Sequence, residues 1–165
     1  MIIMNEKELR KPNALATLEE SEDIIKQLEF ELSQTNGIGL AAPQIGIHKQ
    51  VAIIRNKEEI INLINPVIIN RSHPYNHKEE RCLSFPEKKF DTARFLEITI
   101  KDDLHPAGFV AVGFSAIVLE HEIGHLFNDL IIDRAINRIG RNDPCPCGLQ
   151  KEEKRVKFKN CHGKV

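Results

Sequence analysis

The chain has 165 residues, of which 41% are hydrophobic and 28% are charged, and its formal net charge at pH 7 is -1. This length suits one compact domain with a small appendage and argues against two full domains. The near-zero charge excludes a global attraction to membranes or nucleic acid, so we expect neither a membrane partner nor sequence-specific nucleic-acid binding. No stretch has the apolar length of a secretory leader or a membrane span, which predicts a cytoplasmic protein.

The first clear element is an amphipathic helix. Thr17 and Glu20 stand three residues apart, the spacing of a capping box, and apolar residues then recur at helical intervals up to Leu32. Gly37 and Gly39 follow closely, and glycines at that density favour a turn or a close backbone approach over continued helix. The helix is therefore expected to end near position 36.

Strands are predicted after this helix. β-rich runs occupy residues 51–54, 60–64, 67–69 and 95–100, and a short run occupies 109–112. The run at 95–100 alternates apolar and polar residues, as a half-buried strand does. Ser115 then has the position of an N-cap for a second helix, which carries His121 and His125.

That second helix contains the pattern His-Glu-X-X-His at residues 121–125. Two imidazoles four residues apart share one helix face, with the Glu122 carboxylate between them, an arrangement that holds a metal and activates its water. A chance match on an ordinary amphipathic helix is the alternative. A catalytic metal needs a third protein ligand, and Cys82 is the best candidate, although a lone cysteine is more often a small buried hydrophobe.

Three segments in this order resemble the motifs of the peptide deformylase family. They are Gly-Ile-Gly-Leu-Ala-Ala-Pro-Gln-Ile-Gly at 37–46, Glu-Arg-Cys-Leu-Ser at 80–84 and His-Glu-Ile-Gly-His-Leu at 121–126. The resemblance spans roughly residues 20–133. It implies an α+β fold with small antiparallel or mixed sheets packed around the central His-Glu-X-X-His helix. It also implies metal-dependent hydrolysis of the formyl group from N-formylmethionyl nascent peptides.

The resemblance implies a role for each motif residue. Cys82, His121 and His125 would hold one divalent metal, natively ferrous iron, although zinc, nickel or cobalt would accept the same ligands. Glu122 would act as the general base and pass the proton to the leaving amine. Glu80 would either orient an imidazole or be an exposed acid, and the sequence leaves both interpretations open.

Further residues would bind the substrate or stabilise the transition state. The side-chain amide of Gln44 and the backbone N–H of Leu83 would donate hydrogen bonds to the oxyanion that forms when water attacks the formyl carbon. The resemblance implies five positions that contact the formyl-methionyl peptide: Ile38, Gly39, Ile117, Val118 and Lys89.

Three residues depart from the family pattern. Arg81 stands where the family usually has Gly, and it would be strained if that position needed a positive φ. Gly124 replaces an acidic residue and costs about 1 kcal/mol of helix propensity relative to Ala. Lys89 replaces an Arg and loses the bidentate fork. Two other hypotheses therefore stay open: another His-Glu-X-X-His amidase or peptidase, and a catalytically weak deformylase-like adaptor that acts through its tail.

The composition changes after Asp133, and we expect a catalytic domain at 1–139 followed by a tail at 140–165. Cys145, Cys147, Cys161 and His162 resemble the SEC-C motif, a short zinc-binding tail also found at the C-terminus of the SecA translocation motor. Three thiolates and one imidazole form a closed tetrahedral set, which predicts a structural zinc. The stretch between the two ligand pairs is longer than usual for that motif. A basic tail with incidental cysteines is the alternative.

The tail is locally cationic. It carries Lys151, Arg155, Lys157 and Lys159, which a bound zinc would hold in fixed positions. The resemblance to SEC-C tails implies contact between this basic tail and a ribosomal or protein surface, near the point where formylmethionine emerges. A solvated charged face is the alternative interpretation.

Overall fold

The computed structural model describes residues 1–56, 59–137 and 139–164. Residue 138, beside the expected domain boundary, and residue 165 lie outside the described residues. The helices and strands are α1 Glu6–Leu9, α2 Leu18–Ser33, β1 Gly39–Ala41, β2 Val51–Asn56, β3 Glu59–Ile64, β4 Val67–Glu80, β5 Phe90–Lys101, β6 Phe109–Val112, α3 Phe114–Leu126, β7 Gln150–Lys151 and β8 Lys154–Arg155. Short 3-10 helices occupy Ala42–Ile45, Ile131–Arg134, Phe158–Asn160 and His162–Lys164.

The strands form two three-stranded sheets and one small hairpin. The sheet orders are β1-β2-β3 and β4-β5-β6, and β7 pairs with β8. Every described pairing between these strands is antiparallel. Helix α3 contacts strands of both large sheets and lies between them. The α+β architecture around a central helix is therefore confirmed, with antiparallel sheets rather than mixed ones.

Helix α2 confirms the predicted capping box. The Thr17 side chain accepts a hydrogen bond from the Glu20 N–H, and the Glu20 carboxylate accepts one from the Thr17 N–H. Ile24, Leu28 and Leu32 recur every four residues and are buried in a cluster with residues of β2. The helix ends at Ser33, before the glycine-rich segment, as the sequence predicts.

Helix α3 begins two residues earlier than expected. Its N-cap is Gly113, with a φ of 62°, and Ser115 lies inside the first turn, so the predicted Ser115 cap is wrong. The N–H of Gly113 donates to the Leu96 carbonyl at 2.7 Å, which ties the start of the helix to β5. A positive φ favours glycine here because it has no Cβ. The helix is buried from Leu119 to Leu126, with elements packed on most sides.

The tail folds against the rest of the chain. Its His162 side chain donates to the Arg94 carbonyl of β5. The segment that leads into the tail also runs beside β5, because Ala135 forms an isolated bridge with Thr92 and the Ile136 N–H donates to the Asp91 carbonyl at 2.8 Å. The long stretch between the two ligand pairs forms the β7-β8 hairpin followed by a 3-10 turn. None of the helices in the described ranges has both the length and the hydropathy that a bilayer-spanning segment requires.

Candidate active site

Cys82, His121 and His125 converge in the interior. Cys82 follows β4, and both histidines project from the same face of α3. The Cys82 Sγ lies 3.4 Å from the His125 Nε2, and the two Nε2 atoms lie 3.3 Å apart. One donor atom from each residue lies within 4.8 Å of the others, and all three residues are buried. The thiol thus faces the paired imidazoles, as a shared cation requires.

The electrostatics of this cluster also fit a cation. Burial lowers the pKa of His121, but the adjacent Cys82 and the Glu80 carboxylate outweigh it and raise that pKa well above its usual value. Burial, with the charge on His121, lowers the pKa of His125 well below its usual value. The site therefore attracts positive charge and keeps one imidazole neutral, the form that binds a metal.

Glu80 orients His121 and is not an exposed acid. Its carboxylate is buried, and Oε1 lies 2.5 Å from the His121 Nδ1. Because a carboxylate only accepts, Nδ1 carries the proton that Glu80 accepts, and Nε2 is the ring atom that faces His125 and would bind a cation. The Thr92 hydroxyl also donates to Glu80. The interpretation of Glu80 as a solvated side chain is therefore wrong.

Arg94 of β5 completes this arrangement, and the sequence analysis missed it. Its guanidinium donates to both Glu80 oxygens, from Nη2 at 2.6 Å and from Nε at 2.9 Å, and it is 2% exposed. Burial raises the pKa of Glu80, but the charge of Arg94 and the hydrogen bond from His121 hold it well below its usual range. An arginine between Ala93 and Phe95, directly before the β-rich run at 95–100, was the available signal.

Glu122 carries a buried carboxyl group beside the cluster. Burial raises its pKa to about 7, against the opposing charge of His121. Its Oε2 atom has no hydrogen-bond partner among the described residues. A Cβ added at Gly39 would lie 2.6 Å from the Glu122 Oε1, so only glycine leaves room for this carboxyl. A group that exchanges protons near neutral pH suits general acid-base chemistry.

Two amide donors border Cys82. The Gln44 Nε2 lies 3.6 Å from the Cys82 Sγ and 3.2 Å from the Ser84 Oγ, while its Oε1 accepts from the Ala41 N–H at 2.9 Å. That second bond fixes which end of the amide faces the site. The Leu83 N–H donates to no acceptor in the described part of the chain. Gln44 and Leu83 therefore both border Cys82, and their role as oxyanion donors stays a prediction.

A cavity of about 470 Å³ opens onto this cluster. His77 of β4 and Phe114 of α3 also line it, with ring centroids 6.0 Å apart. The sequence analysis missed His77 because only residues 67–69 of β4 had a strand signature, and it missed Phe114 because the helix was expected to begin after Ser115. Besides Cys82, His121 and Glu122, the predicted site residues that line the cavity are Ile38, Gly39, Gln44, Leu83, Ile117 and Val118.

Lys89 does not line this cavity. Its Nζ pairs with the Glu79 carboxylate at 2.9 Å, and both side chains are largely exposed. Glu79 itself lines the cavity. Lys89 therefore pairs with a cavity-lining residue but does not itself line the cavity where the resemblance implies that it contacts the substrate.

The other departures from the family pattern have structural explanations. Arg81 is absent from the described residues with positive φ, so it carries no left-handed strain. A Cβ at Gly124 would lie 2.6 Å from the Asp129 carbonyl oxygen. The chain turns back tightly after α3, because the Asp129 N–H bonds to the Gly124 carbonyl at 2.9 Å. Glycine at 124 thus allows a close approach that an acidic side chain would block.

Cys145, Cys147, Cys161 and His162 form a second buried cluster. The His162 Nδ1 lies 3.3 Å from the Cys145 Sγ and 3.2 Å from the Cys161 Sγ, and the Cys147 and Cys161 sulfurs are 3.7 Å apart. The His162 Nε2–H donates to the Arg94 carbonyl at 2.5 Å, which leaves the Nδ1 lone pair facing the sulfurs. This donor set fits a tetrahedral cation site.

The thiols of this second cluster cannot all ionise without a cation. A hydrogen bond from Cys147 lowers the pKa of Cys145 to about 3. Burial and the neighbouring Cys145 raise the pKa of Cys161. One thiolate therefore opposes the next, and a bound divalent cation would remove this conflict by neutralising their charges.

Comparison with known proteins agrees with the geometry. The family model described as polypeptide deformylase matches residues 1–141. A peptide deformylase from Synechocystis is 35% identical over 146 residues, which cover 81% of this chain and 77% of that protein. One from Natranaerobius thermophilus is 38% identical over 119 residues, 69% of this chain and 76% of that protein.

Solved structures share the fold. The crystal structure of peptide deformylase from Thermotoga maritima has a TM-score of 0.73 at 30% identity and covers 82% of this chain and 97% of that chain. A peptide deformylase from Synechococcus elongatus, in complex with actinonin, has a TM-score of 0.75 at 33% identity and covers 84% of this chain and 79% of that chain. The matched family model, the identities and the shared fold together establish that this chain belongs to the polypeptide deformylase family.

Proposed function

We propose that this chain hydrolyses the formyl group from N-formylmethionyl nascent peptides, with a divalent metal held by Cys82, His121 and His125. The observation that carries this proposal is the buried Glu122 carboxyl beside three converging ligand atoms. Cys82 and His121 are part of the cavity lining, so water and substrate could reach a cation held by this cluster. The reaction releases formate and a free amino terminus.

The metal is proposed from the donor set. One thiolate and two imidazoles leave a coordination position for water, and ferrous iron, zinc, nickel and cobalt all accept such ligands. We expect ferrous iron natively. A divalent cation at this position supplies Lewis acidity and lowers the pKa of a coordinated water from 15.7 to about 7.

The protein groups carry the proton and stabilise the charge. Glu122 takes the proton of the attacking water and delivers it to the amine nitrogen as the C–N bond breaks. The Gln44 Nε2–H and the Leu83 N–H donate to the formyl oxygen as it gains negative charge. By analogy with single-donor losses in other enzymes, each contributes about 2.7–4 kcal/mol to the stabilisation of the transition state.

The cavity walls suit a formyl-methionyl peptide. Ile38, Ile117 and Val118 provide apolar surface for the methionine side chain. Gly39 lies in β1, an edge strand of its sheet, so its free edge is available to pair with an extended peptide. Lys89 would reach the peptide backbone only after its ion pair with Glu79 opens.

A Glu122→Gln variant tests this function. It keeps the side-chain volume but removes the proton acceptor, so formate release from a formyl-methionyl peptide should fall about 10²–10⁴-fold. Metal content per chain should not change. Retained activity with full metal content would contradict the role of Glu122. Cleavage of internal bonds in an unformylated peptide would instead indicate an endopeptidase.

We also propose that residues 140–165 form a SEC-C-like tail with a structural zinc, appended to a catalytic domain at 1–139. The support is the buried Cys145, Cys147, Cys161 and His162 cluster. The β7-β8 hairpin beside it exposes several cations. We propose that these cations contact a ribosomal or protein surface. The exposed set on the hairpin strands is Lys151, Lys154 and Arg155.

Charge removal on the hairpin tests this contact. Changing Lys151, Lys154 and Arg155 to Ala should reduce co-sedimentation with ribosomes at low salt at least several-fold. A control removes the same charge from exposed positions elsewhere, at Lys7, Lys26 and Lys88. An equal loss of co-sedimentation in both triple variants would indicate a general effect of net charge and not a specific contact. Unchanged co-sedimentation in both variants would exclude the contact.

We place this activity in the cytoplasm. Both proposed metal sites depend on reduced thiolates, and cytosolic conditions keep thiols reduced. The four cysteines are free in the structure, which agrees with a reducing compartment.

A further inference from the structure

We propose that the tail site positions the catalytic ligand His121, so that a cation in the tail strengthens metal binding in the active site. His162 is the positioning residue, and it acts through Arg94 and Glu80. The inference rests on the proposed function, because it assumes a cation at each cluster. It concerns the coupling between the two clusters rather than either site alone.

The first link joins the tail to strand β5. One nitrogen of His162 faces the tail sulfurs, and the other donates to the Arg94 carbonyl at 2.5 Å. The His162 ring also packs edge-on against Phe95, with centroids 5.0 Å apart. A cation bound at Nδ1 would therefore fix the backbone of β5 at the residue that reaches the active site.

The second link joins β5 to the catalytic ligand. The Arg94 guanidinium grips both oxygens of Glu80, and Glu80 holds the His121 Nδ1 at 2.5 Å. All three side chains are at most 8% exposed, so water does not replace a lost bond. A shift of the Arg94 backbone would move its guanidinium, and through it the Glu80 carboxylate and the His121 imidazole. Substitution of a residue that hydrogen-bonds to a metal-bound histidine typically lowers the metal affinity or activity 10–100-fold.

A parallel path reaches α3 through Arg134. Its Nη1 donates to the Cys147 carbonyl at 2.6 Å, and its Nε donates to Asp129 at 2.8 Å. The same Nη1 lies 3.7 Å from Glu120, the residue before His121. Glu120 in turn accepts from the Phe95 N–H at 3.2 Å. Two indirect paths of polar contacts thus link the tail to the catalytic helix, one through β5 and one through Arg134.

Apolar packing makes the connection continuous. The three tail cysteines belong to the same buried cluster as Phe95 of β5 and Leu119 and Ile123 of α3. Densely packed interiors transmit displacements instead of absorbing them. Coupling of binding free energies is reciprocal, so a metal in the active site should also strengthen cation binding in the tail.

A His162→Cys variant separates the hydrogen bond from the tail cation. Four cysteines still form a structural zinc set, but no ring N–H remains to donate to the Arg94 carbonyl. Zinc affinities are measured on the full chain by competition with a chromogenic chelator. The catalytic site is identified as the one lost in His125→Ala. We expect two zinc ions per chain in His162→Cys and an affinity at the catalytic site at least 5-fold weaker than in the wild type.

A matched control excludes general destabilisation. Ile24→Ala removes packing from the cluster around α2, which includes none of the ligands of either metal site, and it should leave both zinc affinities unchanged. An unchanged catalytic-site affinity in His162→Cys would overturn the proposal. An equal weakening in Ile24→Ala, or a wild-type tail that binds no zinc, would also overturn it.

The reciprocal measurement decides the matter even where His162→Cys does not fold. With the catalytic site abolished by His125→Ala, the tail should bind zinc at least 5-fold more weakly than in the wild type, and an unchanged tail affinity would overturn the coupling. The proposed function fails separately. Wild-type protein that holds ferrous iron at the catalytic site but releases no formate would refute the deformylase activity, while the zinc affinities would still report the coupling.

Discussion

At the residue scale, Glu80 forms a buried ion pair with Arg94 and also contacts the catalytic ligand His121. These two residues depend on Glu80 for different reasons. Arg94 needs Glu80 because a buried guanidinium without a counter-ion is strongly unfavourable. His121 needs Glu80 because the carboxylate fixes its tautomer and its direction. Removing Glu80 alone and removing Glu80 together with Arg94 should therefore have different effects on the free energy of unfolding but similar effects on metal affinity.

Glu80→Gln should reduce the free energy of unfolding by about 3–5 kcal/mol, because it leaves Arg94 buried without a counter-charge. Its affinity for the catalytic metal should fall about 10–100-fold. Denaturant titration and chelator competition measure the two effects. Adding Arg94→Met should restore much of the stability but not the metal affinity. A double variant that regains wild-type affinity would contradict the orienting role of Glu80.

Gly39→Ala should impair catalysis through Glu122. The new methyl group would meet the Glu122 Oε1 at 2.6 Å, so the carboxyl must move away from the cluster. Displacement of a catalytic group by about 1 Å can cost 10²-fold in rate, and kcat for formate release should fall by roughly that factor. Metal content measured on the same sample should stay at the wild-type level. A wild-type kcat would show that the carboxyl position is not critical.

At the element scale, α2 and α3 differ in what holds them. Helix α2 has a polar capping box and one buried face, so local sequence specifies it. Helix α3 lacks a side-chain cap and starts at a glycine hydrogen-bonded to β5. Its position therefore depends on the sheets that enclose it. Changes at the α2 cap should affect stability without affecting the site.

Thr17→Ala should destabilise the protein by about 1 kcal/mol, because it removes the hydrogen bond that satisfies the Glu20 N–H. Urea denaturation measures this change. Formate release per folded chain should remain unchanged, since Thr17 lies outside the cavity. A loss of activity without a loss of stability would contradict this division between helix and site.

The same capping box predicts a pH dependence. Hydrogen bonds from the Thr17 backbone N–H and from Lys49 lower the pKa of Glu20 below its ordinary value of 4.5. Its contribution to stability is complete above 4.5 and is lost as pH falls through the lower folded-state pKa. Glu20→Gln should flatten this part of the stability profile. Glu19→Gln, at an exposed neighbour outside the capping box, should not.

At the scale of the whole molecule, the tail belongs to the main hydrophobic core. Its three cysteines pack with Phe95, which is 1% exposed, and with residues of α3. Four ligands within a short, largely polar segment cannot hold this packing without a cation, because the segment buries little apolar surface of its own. Zinc in the tail should therefore stabilise the whole fold.

Stability should depend on free zinc even when the catalytic site is absent. In a His121→Ala/His125→Ala background, free zinc at 1,000 times the tail Kd should add about 4.1 kcal/mol to the free energy of unfolding. Thermal unfolding across buffered zinc concentrations measures this effect. The dependence should disappear when Cys145 and Cys161 are also replaced. A Tm independent of zinc would contradict a structural tail site.

The features that could be predicted from the sequence are those specified by residues close to one another in the chain. The capping box and the four-residue spacing of Ile24, Leu28 and Leu32 specify α2, because helical geometry relates residues close in sequence. The spacing of His121 and His125 on one helix face is local in the same sense. The sequence by itself therefore determined α2, the pairing of these imidazoles and, through the order of three motifs, the family.

The tertiary structure alone decided what depends on contacts between distant residues. Strand β4 extends to Glu80 because β5 pairs with it, although most of its residues are polar and lack a strand signature. That register brings Arg94 to Glu80, and α3 brings His121 to both. The tail reaches the same strand only in the folded chain. Pairing register and packing are collective properties, so no short sequence window encodes them.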